Sequence, residues 1–122
     1  MRLTTDRLDL REMTRDDLPS LRAILQDEET MVAYEGAFDD EMVDTWLDRM
    51  LERYETPGHG FMAVLLRETS EMVGQCGLTV QHILGEDVLE VGYLFNRAHW
   101  HHGYAVEAAT ACRDYAFSAL GE

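Results

Sequence analysis

LEVGYLFNRAHWHHGYAVEA, residues 89–108, changes period at its midpoint. The run VLEVGYLF (88–95) is apolar and strand-like, with Gly92 in its middle, where a bulge or a close backbone approach is expected. From Gly103 the spacing becomes helical, and Ala105, Ala108, Ala109, Cys112, Ala116 and Ala119 fall on one face, small enough to let a helix lie close against a sheet. The junction packs His99, Trp100, His101 and His102 ahead of a single glycine. A helix beginning there exposes its first amide groups at the positive end of its dipole, and Gly103 removes the side chain that would keep an anion away. An ordinary helix start has the same composition, so these residues alone leave both readings open. A metal site is disfavoured, because the histidines lack the HExxH spacing that sets two imidazoles on one helical face and no cysteine pair is near.

Upstream, FMAVLLRE (61–68) and MVGQCGLTVQHI (72–83) are strand runs joined by the short polar TSE, a hairpin signal, and LGED leads from the second run into the third. These three strands form an antiparallel meander. The clearest helix precedes them: Val43, Trp46, Leu47, Met50, Leu51 and Tyr54 recur at i, i+3, i+4, i+7, i+8 and i+11, with Asp39 or Asp40 as cap and TPGHG (56–60) as terminator. An earlier helix is signalled by capping candidates Thr14 and Asp16, Pro19 in the first turn, and Leu18, Leu21, Ile24 and Leu25 at helical spacing. Residues 2–13, with Leu3, Leu8 and Leu10 between charges, suit one half-buried strand. The order is strand, helix, helix, three strands, helix, which makes one α+β domain over 1–122 with a mostly antiparallel central sheet flanked by helices. Its last strand lacks a neighbour on the far side, an edge that proteins normally cover. The expectation is a longer fold of which this is the N-terminal part, or an edge completed by another chain, through a homodimer or strand pairing.

The 122 residues suit one domain, and the net charge of -14 opposes partners that demand clustered cations, so neither nucleic acid nor an anionic membrane surface is expected. A cationic substrate is easier to accommodate. All ten basic residues are arginines. The N-terminal MRLTTDRLDLREM alternates charged and apolar residues where a signal peptide would be continuously apolar, and the expected location is the cytoplasm. Cys76 and Cys112 lack CxxC spacing and read as reduced interior thiols, and no GxSxG elbow is present.

The element order together with WHHGYAVEA resembles the GNAT superfamily of acyl-CoA-dependent N-acetyltransferases, most closely its Rim-type ribosomal-protein acetyltransferases. The segment Trp100-His101-His102-Gly103-Tyr104-Ala105 occupies that family's Q/R-x-x-G-x-G/A motif, with Trp100 in place of the consensus polar residue; TDRLDLREMTRDDL and LEVGYLFNRAHW carry the likeness further. The resemblance implies acetyl-CoA as cosubstrate, its pyrophosphate on the backbone amides of His101, His102, Gly103, Tyr104 and Ala105. The pantetheine arm would run along Tyr93, Leu94 and Phe95 like an added strand, a backbone N–H near Leu94 polarising the thioester carbonyl. Glu90 is the candidate base for a primary amine, directly or through water, with orientation of substrate or a structural ion pair as the competing role. Glu107 is expected to be a surface acid compensating the helix dipole. The implied acceptor is a protein N-terminal amine, with a small cationic amine such as an aminoglycoside or polyamine, or a non-catalytic acyl-CoA-binding module, as alternatives. The family's usual C-terminal strand, helix and hairpin, which often supply the group that protonates the leaving thiolate, do not follow within these residues.

Overall fold

A computed structural model of the protein describes residues 2–34, 36–55 and 60–119. Five strands, β1 (Arg2–Thr4), β2 (Leu8–Arg11), β3 (Gly60–Leu66), β4 (Met72–Ile83) and β5 (Glu86–Phe95), form one sheet in sequence order. Every neighbouring pair is antiparallel. Three helices, α1 (Leu18–Leu25), α2 (Asp40–Arg53) and α3 (Tyr104–Ala119), cover its two faces.

The expected single N-terminal strand is two. Thr5 to Arg7 turn the chain, and Leu3 of β1 pairs with Leu10 of β2. Parity explains the difference: Leu8 is five positions on from Leu3, an odd offset, so one continuous strand would put them on opposite faces, whereas the hairpin returns Leu3 beside Leu10. The turn is closed by the Thr5 N–H on the Leu8 carbonyl (2.9 Å) and the Leu8 N–H on the Thr5 hydroxyl (3.1 Å).

Of the two capping candidates it is Thr14, and not Asp16, that caps a short 3-10 turn leading into α1, and Asp17 closes the capping box: the Thr14 N–H donates to its carboxylate at 2.8 Å. Asp17 is buried and also receives both terminal nitrogens of Arg11, at 2.8 and 2.9 Å. Asp39 is the cap of α2, accepting from the Met42 N–H at 2.8 Å. The expected terminator at Thr56, Pro57, Gly58 and His59 lies outside the described residues.

Alternation along the strands separates two cores. Leu21, Ile24 and Leu25 of α1 with Val43, Leu47 and Met50 of α2 bury Phe61, Ala63 and Leu94 on one face. On the other, Ala108, Cys112 and Ala116 of α3 press against Leu8, Leu10, Met62, Val64 and Cys76. The small face of α3 is therefore as expected at those positions; the burial of Ala119 lies outside the described residues. Gly92 marks a close approach and not a bulge, since the β4–β5 register runs unbroken from Gly74 opposite Phe95 to Ile83 opposite Glu86. A β-carbon at Gly92 would sit 2.8 Å from the Phe61 ring.

Candidate active site

Where β5 ends and α3 begins, the chain encloses a cleft of about 450 Å³. Tyr93, Leu94 and Phe95 form its strand wall, and His101, Gly103, Tyr104 and Ala105 form its turn wall. Seven of the eight residues expected to hold cofactor thus line one cavity. His102 is the eighth and does not: its ring stacks on Tyr104 (5.5 Å between centroids, 27°) and its carbonyl accepts from Arg7 (2.9 Å). Thr30, His99, Trp100 and Val106 complete the lining.

The backbone supplies donors from both walls. The first intrahelical bond of α3 runs from the Glu107 N–H to the Gly103 carbonyl (3.1 Å), so the amides of Tyr104, Ala105 and Val106 precede the helical ladder. The turn that brings them there has His101 at φ 68° and Gly103 at φ 79°, left-handed values that glycine takes freely and histidine does not. On the strand, the Asn96 N–H donates to the Val73 carbonyl of the β4 side at 2.8 Å. Antiparallel alternation then turns the Leu94 N–H toward β4 and those of Tyr93 and Phe95 toward the open edge. The outward-facing amides beside Leu94 are accordingly those of Tyr93 and Phe95, while Leu94 contributes its side chain to the cleft. The Trp100 indole N–H donates to the Phe95 carbonyl at 2.9 Å and ties the junction to the strand edge.

Thr30 reaches the cleft from the segment after α1. Asp27 accepts from its hydroxyl (2.6 Å) and its N–H (3.0 Å), and Arg97, just beyond β5, bridges Asp27 (3.1 Å) and Glu29 (3.0 Å). The Thr30 hydroxyl and amide, with the Arg97 charge beyond them, hold the Asp27 carboxyl below its usual range. No pattern in the sequence singled out Thr30, because its position depends on a loop fastened by an arginine sixty-odd residues away.

Glu90 shares a sheet face with Gly92 and Leu94, as the unbroken register requires, and stands exposed opposite Thr79. It lies outside the cleft lining. Four residues along a strand correspond to about 13 Å. Glu90 can therefore serve a reaction beside Leu94 only through intervening water or through an amine seated nearer Gly92.

Glu107 stands in the first turn of α3, as expected of an acid compensating the helix dipole, and it is also held by partners from the N-terminal hairpin. The Thr5 hydroxyl, the Arg7 N–H (3.0 Å) and the Arg7 Nε (2.7 Å) all donate to its carboxylate. Partial burial works to raise the Glu107 pKa, but the hydrogen bonds from Thr5 and Arg7 and the guanidinium charge outweigh it and hold the carboxyl below its usual range. Cys76 and Cys112 are fully buried with sulfurs 3.7 Å apart, and the neighbouring Cys112 sulfur together with burial pushes the Cys76 thiol up. A thiol so held is a poor nucleophile.

An anion-ready helix start beside an open strand edge, on a sheet with α1 and α2 on one face and α3 on the other, defines a class. The family model described as "Acetyltransferase (GNAT) domain" matches residues 7–122, and the chain belongs to that family, whose members transfer an acetyl group to an amine. It is 37% identical over 118 residues to "Uncharacterized protein YkkB" of Bacillus subtilis (strain 168), covering 96% of this chain and 69% of that protein. To "Uncharacterized N-acetyltransferase p20" of Bacillus licheniformis it is 31% identical, over 97% of this chain and 67% of the relative. Among solved structures, an acetyltransferase from Agrobacterium tumefaciens str. C58 superposes with a TM-score of 0.84 at 32% identity, over all of this chain and 70% of its own. Among the described residues no helix is long and apolar enough to cross a membrane.

Proposed function

We propose that this protein transfers the acetyl group of acetyl-CoA to a primary amine, by direct attack in a ternary complex, with a protein N-terminal amine as the acceptor that the Rim-type resemblance implies. One observation carries the proposal: the turn residues His101, Gly103, Tyr104 and Ala105 and the strand end 93–95 wall a single cleft. Free amides at its turn wall suit a pyrophosphate, and a strand edge beside them suits an extended amide-bearing arm. Acetyl-CoA supplies the activated thioester; the protein's part is to bind, orient and move one proton.

The amides of Tyr104 and Ala105, with that of Gly103, hold the pyrophosphate at the positive end of α3. The backbone of Tyr93 pairs with the pantetheine amides, and the outward N–H of Phe95 or Tyr93 donates to the thioester carbonyl. Glu90, through water, takes the proton that the ammonium must lose before it attacks. The net charge of -14 raises the local concentration of a cationic acceptor.

Calorimetric titration of acetyl-CoA, with 3′-phosphoadenosine 5′-diphosphate as a pantetheine-free control, tests the cleft. The expected outcome is tighter binding of acetyl-CoA than of the control; no binding to a folded sample refutes the proposal. With a basic-N-terminal peptide as acceptor, Glu90→Gln should lower kcat by about a hundredfold or more while leaving the acetyl-CoA Kd within about twofold. Binding without turnover in the unaltered protein would instead mark a non-catalytic acyl-CoA module.

A further inference from the structure

The N-terminal TDRLDLREM and the GYAVEA of the cleft lie a hundred residues apart in sequence and meet at Arg7. Its Nε and main-chain N–H grip the Glu107 carboxylate, its Nη1 donates to the His102 carbonyl at 2.9 Å, and its guanidinium carbon lies 4.7 Å from the centre of the Tyr104 ring. Arg7 borders a separate groove with Asp6, Leu66, Arg67, Glu68 and Tyr104, and does not line the cleft. Tyr104 borders both and stands between them.

We infer that Arg7 is a positioning residue for the cofactor cleft: by holding the His102 carbonyl from outside, it aims the Gly103 N–H inward at the pyrophosphate. The reason is the planarity of the peptide group. In a trans peptide the C=O and N–H point in opposite directions, so a donor that captures the carbonyl on one side fixes where the amide points on the other. The constraint matters at this peptide because His101 and Gly103, on either side of His102, both adopt left-handed φ. A turn of that kind has competing conformations in which the same amide points elsewhere. Glu107 neutralises the guanidinium charge on the spot, so Arg7 acts on a phosphate chiefly through orientation. A lysine would keep the charge but cannot grip a carboxylate and a carbonyl from one planar fork.

The inference rests on the acetyl-CoA reading above, and its test separates the two. Acetyl-CoA, and separately acetyl-pantetheine, which has the same thioester arm without the nucleotide, are titrated into the unaltered protein, Arg7→Met and Arg7→Lys. The readouts are Kd and the Gly103 amide resonance in proton–nitrogen NMR, at a temperature where each protein is folded. In the unaltered protein the Gly103 resonance should move on binding acetyl-CoA and stay in place with acetyl-pantetheine. In both variants the Kd for acetyl-CoA should rise about tenfold, as expected for a lost hydrogen bond to a charged group. That Gly103 shift should collapse, and the Kd for acetyl-pantetheine should be unchanged. The inference is overturned by a Gly103 resonance that ignores acetyl-CoA in the unaltered protein, which needs no variant to be seen. Unchanged affinity in Arg7→Met, equal weakening toward both ligands, or full recovery in Arg7→Lys would also overturn it. If the unaltered protein binds acetyl-CoA no better than acetyl-pantetheine, the pyrophosphate cradle itself fails, and the role of Arg7 falls with it.

Discussion

Replacing Trp46 by phenylalanine should destabilise the protein by more than the loss of ring area, and a second substitution should restore part of the loss. The Trp46 indole N–H donates at 2.9 Å to the Oε1 of Gln75, a β4 residue with 0% exposure, whose Nε2 has no hydrogen-bond partner among the described residues. Trp46→Phe leaves that amide with neither end paired, which costs about 1–3 kcal/mol for the orphaned carbonyl. Weakened packing on Phe61, 5.6 Å away between ring centroids, adds up to about 1 kcal/mol. Gln75→Met removes an unpaired donor along with the paired acceptor, while the indole it strands is only half-buried; its effect alone should stay within about 1 kcal/mol. In the double variant no buried amide remains to be left unpaired, so it should be at least about 1 kcal/mol more stable than the sum of the single effects. Urea unfolding followed by far-ultraviolet circular dichroism measures this directly; tryptophan fluorescence is unsuitable because Trp46 is one of only two. Additivity within about 0.5 kcal/mol would refute the reasoning and mean that the Gln75 amide finds a partner by another route.

Asp17 predicts a pH dependence. Burial acts to raise its pKa, but the paired Arg11 guanidinium and the Thr14 N–H outweigh it and hold the carboxyl below its usual 3.8. Its stabilisation is therefore complete above the unfolded value and lost as pH falls below 3.8, so the Tm gap between the unaltered protein and Asp17→Asn should be full at pH 7 and shrink below pH 4. A gap that stays constant with pH would contradict the pairing. Gly92→Ala should cost about 1–3 kcal/mol through its 2.8 Å approach to the Phe61 ring, seen as a lower urea midpoint. Cys76 and Cys112 should resist a thiol-alkylating reagent in the native state and react together once urea unfolds the protein; mass spectrometry that finds either one modified in the native protein would remove them from the core.

Periodicity identified α2 because its apolar face is complete within one element, and it identified the hairpin of β3 and β4 because TSE is a short polar break between two runs. It missed the first hairpin. Nothing in TTDR carries the usual glycine-bearing turn chemistry, and only the changed parity between Leu3 and Leu8 records that the chain reverses. The cleft was legible to the extent that its donors are backbone groups at a helix start, which a glycine and a change of period can announce. Thr30 in the cleft lining and Arg7 behind it were not legible, since each is placed by partners far along the chain. For Glu107 the place in the first turn of α3 was legible but its partners were not, since only the fold brings Thr5 and Arg7 onto it.

Both halves of the proposed chemistry depend on the register of β5. Slipping this strand by one residue would turn the Tyr93 and Phe95 amides in toward β4, present that of Leu94 to the edge, and move Glu90 to the opposite face. The sheet resists misalignment at three glycines, Gly92 on β5 and Gly74 and Gly77 on β4. A β-carbon at Gly77 would lie 2.1 Å from the Gly60 carbonyl oxygen, and those at Gly74 and Gly92 would press on the Phe95 and Phe61 rings at 2.6 and 2.8 Å. Any neighbour moved into those positions brings a side chain where none fits, so β3, β4 and β5 interlock in one alignment. Trp100 then fastens the Phe95 carbonyl from the cleft side. The edge proposed to receive the pantetheine arm is thus set by packing deep in the sheet, and substitutions at Gly74 or Gly77, neither of which lines the cleft, should alter acetyl-CoA affinity as well as stability.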